Sequence, residues 1–343
     1  MPADMWALYE RMLESRLFEE AVARIWRDGL ISGEMHLGTG EEAINAGVVS
    51  HLQEGDAMAL DHRGTAPLLM RGADPVKIFR ELLGSPDGLC GGRGGHMHLF
   101  SRELLVASSG IVGAAGPAAA GFALAASLLR PGAIAVAFFG EGSMNQGMLM
   151  ESMNLAAIWR LPVLFVCKDD GWSITTRSAH MTGGDLSERA RGLGVPPVEA
   201  DGLDVASVWV AAGAAVDRAR SGQGPAFLRF RCVHLEGHFL GFQLLRAVRK
   251  PLKEMPRIVG PLVKSMTRSG GGAGFGERLE GLKGVLETVV AARGDPRHEA
   301  SNDPVARARL SLRSDPARLK EVDERVQKRI GDALAQALTE ART

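Results

Sequence analysis

The apolar positions of the chain run in two rhythms, and the switch between them lays out the fold. Over residues 3–28, Leu8, Met12, Leu17, Phe18, Val22 and Ile25 recur at helical spacing and predict an amphipathic helix. The apolar start of AMALDHRG reads as a short buried strand ending in a polar loop, and Asp74-Pro75 marks the start of a helix over 75–84. AIAVAFFG (133–140) and PVLFVCK (162–168) are continuous apolar runs, as expected of parallel strands buried on both faces, and they bracket a helix over 145–158. VPPVEADG then reads as strand and turn, 204–220 as a helix, and GPAFLRFRCV as a further strand. The alternation from 133 to 233 predicts an α/β fold, a doubly wound parallel sheet with helices on both faces. Ligands of such sheets bind beyond the carboxyl ends of the strands. A polar amphipathic helix over 317–341 ends the pattern.

Glycine interrupts these rhythms. GEMHLGTGEEAINAGVVSHL is a Gly-rich turn leading into a helix near Glu41. DGLCGGRGGHMHLF is too rich in Gly for regular structure and predicts a loop whose backbone passes close to another group. GIVGAAGPAAAGFALAASLL (110–129) carries no charge and has the length of a membrane span, but its Gly, Ala and Pro117 content reads instead as a buried, closely packed loop and helix. After His238 the character changes. Residues 246–268 carry seven Lys or Arg and one Glu, SGGGAGFG (269–276) is a hinge by composition, and 277–293 looks helical. The domain reading is a main domain over 1–245 with an N-terminal helical segment, a basic Gly-hinged insertion over 246–300, and a C-terminal helical segment over 301–343 packed on the main domain.

Composition narrows the function. Lys plus Arg and Asp plus Glu both number 40, and a net charge of zero argues against a general nucleic-acid binder. The three cysteines, Cys90, Cys167 and Cys232, form no C-x-x-C pair. Their odd, sparse count fits a reducing compartment such as the cytoplasm and supplies no metal framework. MPADMWALYERMLESR shows no signal peptide.

The chemistry concentrates where the two apolar strands stop. One ends at Gly140-Glu141-Gly142 and the next at Asp169-Asp170, which sets two carboxylates at the ends of adjacent strands. Carboxylates converging from separate strands suit a metal with oxygen ligands. Gly140 and Gly142 let backbone amides approach an anion, and a helix start near Asn145 adds a positive dipole. Together these describe a diphosphate site. On spacing alone, the two residues serve equally well as caps of a helix and of a turn.

The segment around them, FFGEGSMNQGMLMESMNLAAIWRLPVLFVCKDDGW, resembles the thiamine diphosphate motif of the alpha subunits of 2-oxoacid dehydrogenase first components and acetoin dehydrogenases. The family pattern is Gly-Asp-Gly followed further on by Asn-Asn. HLGTGEEA, DHRG, GGRGGHMHL, GIVGA and EGHFLG resemble further family motifs in the right order, so the likeness covers most of the chain. It implies that Glu141, Asp170 and the Trp172 carbonyl hold Mg²⁺, and a site altered at Glu141 and Asp170 suits Mn²⁺ or Ca²⁺ as an alternative. It implies that Gly142 and Ser143 offer amides to the diphosphate, that Arg63 pairs with it beside His62, and that Gly110 and Val112 meet the aminopyrimidine. His238 and His36 are implied to face the thiazolium and the substrate, with His238 handling charge or a proton.

The departures are as informative as the matches. Glu141 stands where the family has Asp, and Asp170 where it has Asn, which lengthens one ligand and adds a charge beside an anionic diphosphate. Mg²⁺ demands near-octahedral geometry at about 2.0–2.1 Å, so a methylene matters. Thr65 and Pro67 replace two histidines at the active-site mouth, Glu236 replaces a further histidine and Phe242 an aspartate. Phe239 occupies the place of the phosphorylatable Ser of animal pyruvate dehydrogenases, so that regulation is not expected. The resemblance implies a subunit that oxidatively decarboxylates a 2-oxoacid or cleaves an acetoin-like acyloin, works only with a beta subunit in an α₂β₂ tetramer, and passes the acyl unit to an acceptor such as a lipoyl carrier. A carboligase of specialised metabolism and a non-catalytic scaffold with a degenerate metal site are the alternatives.

Overall fold

The computed structural model describes residues 3–31, 33–174, 176–240, 283 and 300–340. The basic stretch 246–268, the hinge and the helix expected over 277–293 fall almost wholly outside the described residues.

The chain opens with α1 (Met5–Arg27), capped by Asp4, whose carboxylate accepts from the amides of Trp6 and Ala7. It continues through α2 (Glu42–Val49), β1 (Ala57–Leu60), α3 (Thr65–Met70) and α4 (Pro75–Leu82) to a Gly-rich loop. The edge strands β2 (Phe100–Ser101) and β3 (Val106–Ser108), α5 (Ala115–Leu129), β4 (Ala135–Gly140), α6 (Gly147–Trp159) and β5 (Val163–Asp169) follow. A small antiparallel ribbon, β6 (Trp172–Ser173) and β7 (Thr176–Arg177), precedes α7 (Leu186–Gly192), β8 (Pro197–Ala200), α8 (Val205–Arg220) and β9 (Ala226–Arg231). Beyond residue 300 come α9 (Pro304–Ser311) and α10 (Pro316–Glu340).

The main sheet has seven strands in the order β2-β3-β1-β4-β5-β9-β8, all parallel except the β2–β3 pair. The predicted doubly wound α/β sheet is what forms. Alternate strand residues face opposite sides, because successive side chains of a strand point opposite ways. Met58, Leu60, Val136, Phe138, Leu164, Val166, Leu228 and Phe230 join one core with residues of α1, α2 and α8. Ala57, Ala59, Ala135, Ala137, Phe139, Val163, Phe165 and Phe227 join the other with residues of α5 and α6. Helix α10 packs on α1 and α4 and buries Leu319, Val322, Val326, Ile330 and Ala337.

Two expectations need adjustment. The chain leaving β4 does not start an α-helix at residue 145. It forms a 3-10 turn over Glu141–Asn145, and the extended backbone of Gln146 (φ −94°, ψ 128°) separates that turn from α6. The uncharged segment 110–129 is buried on one face only. Ala119, Ala120, Ala123 and Ala126 sit in the core, whereas Leu128 and Leu129 are 74% and 79% exposed. No helix among the described residues is long and apolar enough to cross a membrane.

Candidate active site

The parallel register decides which residues meet. Gly140 pairs with Lys168 across β4 and β5, so Glu141 and Asp170 emerge side by side. Asp61, His62 and Arg63 follow β1, the strand on the other side of β4. Ser109 and Gly110 follow β3, and His234 follows β9. One cavity of about 430 Å³ gathers His36, His62, Arg63, Gly110, Val112, Glu141, Gly142, Ser143, Asp170, Trp172 and His238. These are all the residues that the resemblance assigns to cation, cofactor and substrate, drawn from distant parts of the chain.

Glu141 is buried and accepts a hydrogen bond from the Ser178 hydroxyl at 2.6 Å. Burial first, and the nearby Asp170 charge second, push its carboxyl up to about 8. Asp170 accepts from the Trp172 amide at 3.3 Å through one oxygen and lies 2.8 Å from His234 Nδ1 through the other. Two carboxylates so close that they repel each other form a donor set complementary to a cation.

Behind this pair lies a buried charge network that the sequence reading missed. Lys168 Nζ donates to Glu41 at 2.7 Å and stands 2.9 Å from an oxygen of Asp61. The other oxygen of Glu41 is 2.9 Å from His234 Nε2. Carboxylates accept and do not donate, so a ring held between Glu41 and Asp170 donates from both nitrogens and carries a charge. Burial and Arg63 oppose that charge, yet Asp170 and Glu41 hold the His234 pKa above its ordinary value. Burial alone would raise Glu41, but Lys168, His234 and Arg63 together bring it down to about 2. The extra negative charge of Asp170 therefore has a built-in counter-charge in His234. The one available signal was Lys168 itself, a lysine closing an otherwise apolar strand.

Arg63 lines the cavity with its guanidinium engaged by its own chain. Its guanidinium donates to the Leu37 carbonyl and, at 2.8 Å, to the His238 carbonyl, and it stands 3.7 Å from Glu41. It lines the cavity, but its fork clamps two loops of the chain. Thr65, one of the histidine replacements, donates its hydroxyl to the buried Glu19.

The opposite wall is a histidine cluster. The His36 ring lies 4.6 Å from that of His62 and 5.0 Å from that of His238, both edge-on, and its Nδ1 is 2.9 Å from His96 Nε2. Burial and the Arg63 charge lower His36 to about 2, His96 to about 4 and His238 to about 3, and they lower His62 further still. These rings are neutral at physiological pH.

The family described as Dehydrogenase E1 component matches residues 10–241. The chain belongs to this family. The alpha subunit of acetoin:2,6-dichlorophenolindophenol oxidoreductase from Cupriavidus necator is 40% identical over 236 residues, which covers 68% of this chain and 71% of the relative. The Bacillus subtilis protein of the same description is 38% identical over 239 residues, covering 69% and 72%. The alpha subunit of the pyruvate dehydrogenase E1 component of Zymomonas mobilis is 38% identical over 265 residues, covering 76% and 74%. The family depends on thiamine diphosphate, and the residues present fit that group. The carboxylates of Glu141 and Asp170 stand together beside the turn 141–145. Gly142 there approaches its neighbours so closely that a Cβ would collide with the Ser173 hydroxyl, and a Cβ on Gly110 would stand 3.0 Å from Met97 Sδ.

Proposed function

We propose that the chain is the diphosphate-holding alpha subunit of a thiamine diphosphate-dependent enzyme that oxidatively cleaves an acetoin-like acyloin or a 2-oxoacid. A beta subunit completes an α₂β₂ assembly and the second half of the site. The observation that carries the reading is the single cavity in which Glu141 and Asp170 converge beside the Gly142–Ser143 backbone and opposite the histidine wall.

Glu141, Asp170 and the Trp172 carbonyl would hold the divalent cation, Mg²⁺ first and Mn²⁺ or Ca²⁺ as substitutes, since oxygen donors suit hard cations. Gly142 and Ser143 would present amides to the diphosphate, and Gly110 and Val112 would border the aminopyrimidine. When bound, thiamine diphosphate supplies a carbon nucleophile and an electron sink. The chain's own part is to orient and to exclude water. His234 holds Asp170 in place and balances its charge, Arg63 fixes the backbone of His238, and the neutral rings of His36 and His238 can donate a hydrogen bond to a substrate oxygen or accept a proton from it.

The neutral wall favours an acyloin over a 2-oxoacid. A substrate carboxylate is best met by a free cation, but Arg63 is engaged by two carbonyls and Glu41, the charged His234 is engaged by Glu41 and Asp170, and the rings of His36 and His238 are uncharged.

The decisive experiment is calorimetric titration of thiamine diphosphate, with Mg²⁺, Mn²⁺ or Ca²⁺, into the chain co-purified with its beta partner. Cation-dependent binding that disappears in Glu141→Ala and Asp170→Ala is the expected result. A folded complex that fails to bind thiamine diphosphate with any of the three cations overturns the enzyme reading and leaves a scaffold. On the active complex, kcat/KM is expected to be higher for acetoin than for pyruvate.

A further inference from the structure

We propose that Ser178 is the positioning residue of the cation site, setting how Glu141 and Asp170 face one ion and thereby which divalent cation the chain prefers; the inference rests on the reading above that these carboxylates hold the cation. Glu141 is one methylene longer than the aspartate of the family pattern. The longer side chain has one more torsion to fix, and a cation that demands strict geometry needs that torsion fixed from outside. Among the described residues, the side chain that hydrogen-bonds to the Glu141 carboxylate is Ser178, whose hydroxyl stands 2.6 Å from Oε1. An ionised carboxylate only accepts, so the hydroxyl donates to it, at the length of a charge-assisted bond. Holding one oxygen sets the rotation of the carboxylate, and with it where the second oxygen is offered.

Ser178 is tied to the other two ligands as well. Its amide donates to the Gly171 carbonyl at 2.9 Å, one residue after Asp170 and one before Trp172. Between Gly171 and Ser178 runs the β6–β7 ribbon, in which Trp172 pairs with Arg177 and Ser173 with Thr176. The backbone that carries Asp170 and Trp172 thus closes on Ser178, whose side chain reaches across to Glu141 just beyond the end of β4.

Ser178 itself has little freedom. Its carbonyl accepts from the amides of Met181 and Thr182 at 3.1 and 2.8 Å. The Thr182 hydroxyl accepts from Asn145 Nδ2 at 2.9 Å, and Arg189 donates to the Met144 carbonyl at 3.1 Å, to Asn145 Oδ1 at 3.0 Å and to the Gly183 carbonyl. The loop bearing Ser178 is therefore pinned to the far end of the same turn, 141–145, that begins with Glu141. Hydrogen-bonded supports of ligating side chains are worth about 10- to 100-fold in metal affinity.

The test is calorimetric titration of Mg²⁺, and separately of Ca²⁺, into the complex co-purified with its beta partner and supplied with thiamine diphosphate. Ser178 is half-buried on a loop outside both cores, so Ser178→Ala is expected to leave the circular dichroism spectrum unchanged. Its Mg²⁺ affinity is expected to fall by about tenfold or more. Its Ca²⁺ affinity is expected to fall by about threefold or less, because Ca²⁺ accepts irregular geometry and Mg²⁺ does not. Ser178→Thr keeps the hydroxyl and is expected to restore the preference for Mg²⁺ over Ca²⁺. A merely structural loss would weaken both cations alike and leave that ratio where it was. Unchanged Mg²⁺ affinity in folded Ser178→Ala, or an equal loss for both cations, overturns this proposal and leaves the cofactor reading standing. An unmodified complex that binds no cation overturns that reading and this inference with it.

Discussion

At the scale of single residues, the energetics of this site rest on charges that water does not reach. Lys168 is fully buried between Glu41 and Asp61. Replacing it by Met strips Asp61 of its buried counter-charge and leaves Glu41 only His234 and Arg63, and breaking a buried pair from one side costs about 3–5 kcal/mol. Urea unfolding of Lys168→Met is expected to show a loss of that size. Glu19 gives a pH signature of opposite sense. Burial pushes its carboxyl up to about 7 from an ordinary 4.5, against the Thr65 hydroxyl that favours its charge. Between these values the folded state binds more protons than the unfolded chain, so this residue's contribution to stability falls as pH rises through the window. A pKa unit is worth about 1.4 kcal/mol, so the stability of the unmodified chain relative to Glu19→Gln should drop by on the order of 3 kcal/mol between pH 4.5 and 8. Equal melting differences at both ends of that range would refute it. Glu141 and Asp170 were legible because each interrupts a long apolar run at its end. The network behind them was not. Glu41 and Lys168 are 127 positions apart and Glu41 and His234 are 193 apart, so only the sheet order brings them together.

At the scale of elements, legibility followed burial. Strands β4 and β5 are continuous apolar runs buried on both sheet faces, so their patterns were unambiguous. Strands β2 and β3, two and three residues long, carry too few positions for any period to show. The Gly-rich loop after α4 was legible in kind but not in cause. What its backbone approaches is the buried Glu81 carboxylate, which accepts from the amides of Cys90 and Gly92 at 2.6 and 2.9 Å and from those of Gly94 and Gly95 at 2.6 and 3.3 Å. Side chains are excluded for the same reason: a Cβ on Gly88 would meet the Glu81 backbone at 2.6 Å. The loop leads directly to His96, which anchors His36. In Glu81→Gln an amide group would face two backbone donors, and buried donors without acceptors cost about 1–3 kcal/mol each. Hydrogen exchange over residues 88–95 is therefore expected to accelerate by tenfold or more, while β4 and β5 remain as protected as before. Unchanged exchange in the loop would mean that its order has another source.

At the scale of the whole molecule, the chain is unfinished on one side. Leu124, Leu128 and Leu129 of α5 and Leu155, Ile158 and Trp159 of α6 are each at least 36% exposed, and the two helices pack against each other. Met148, Ile111 and Val112 extend the apolar surface toward the cavity, and Val112 lines it. A contiguous apolar face of this kind marks an interaction site rather than a solvated surface. The segment read from its composition as buried is buried on one face by its own sheet, and its other face is exposed. Because this face meets the cavity rim, a partner that covered it would also close the site, and on that reading the alpha chain alone is not expected to be active. Leu128→Glu together with Ile158→Glu tests this. Both positions are solvent-exposed in the single chain, where such changes shift stability by only about 0.5 kcal/mol. Buried in an interface without counter-charges, they should weaken assembly with the beta chain by on the order of 100-fold. Sedimentation and co-purification are expected to show a folded alpha chain that no longer retains its partner, with thiamine-dependent turnover lost in parallel. Normal assembly of the double variant would place the interface elsewhere and leave this apolar face to a contact between copies of the same chain.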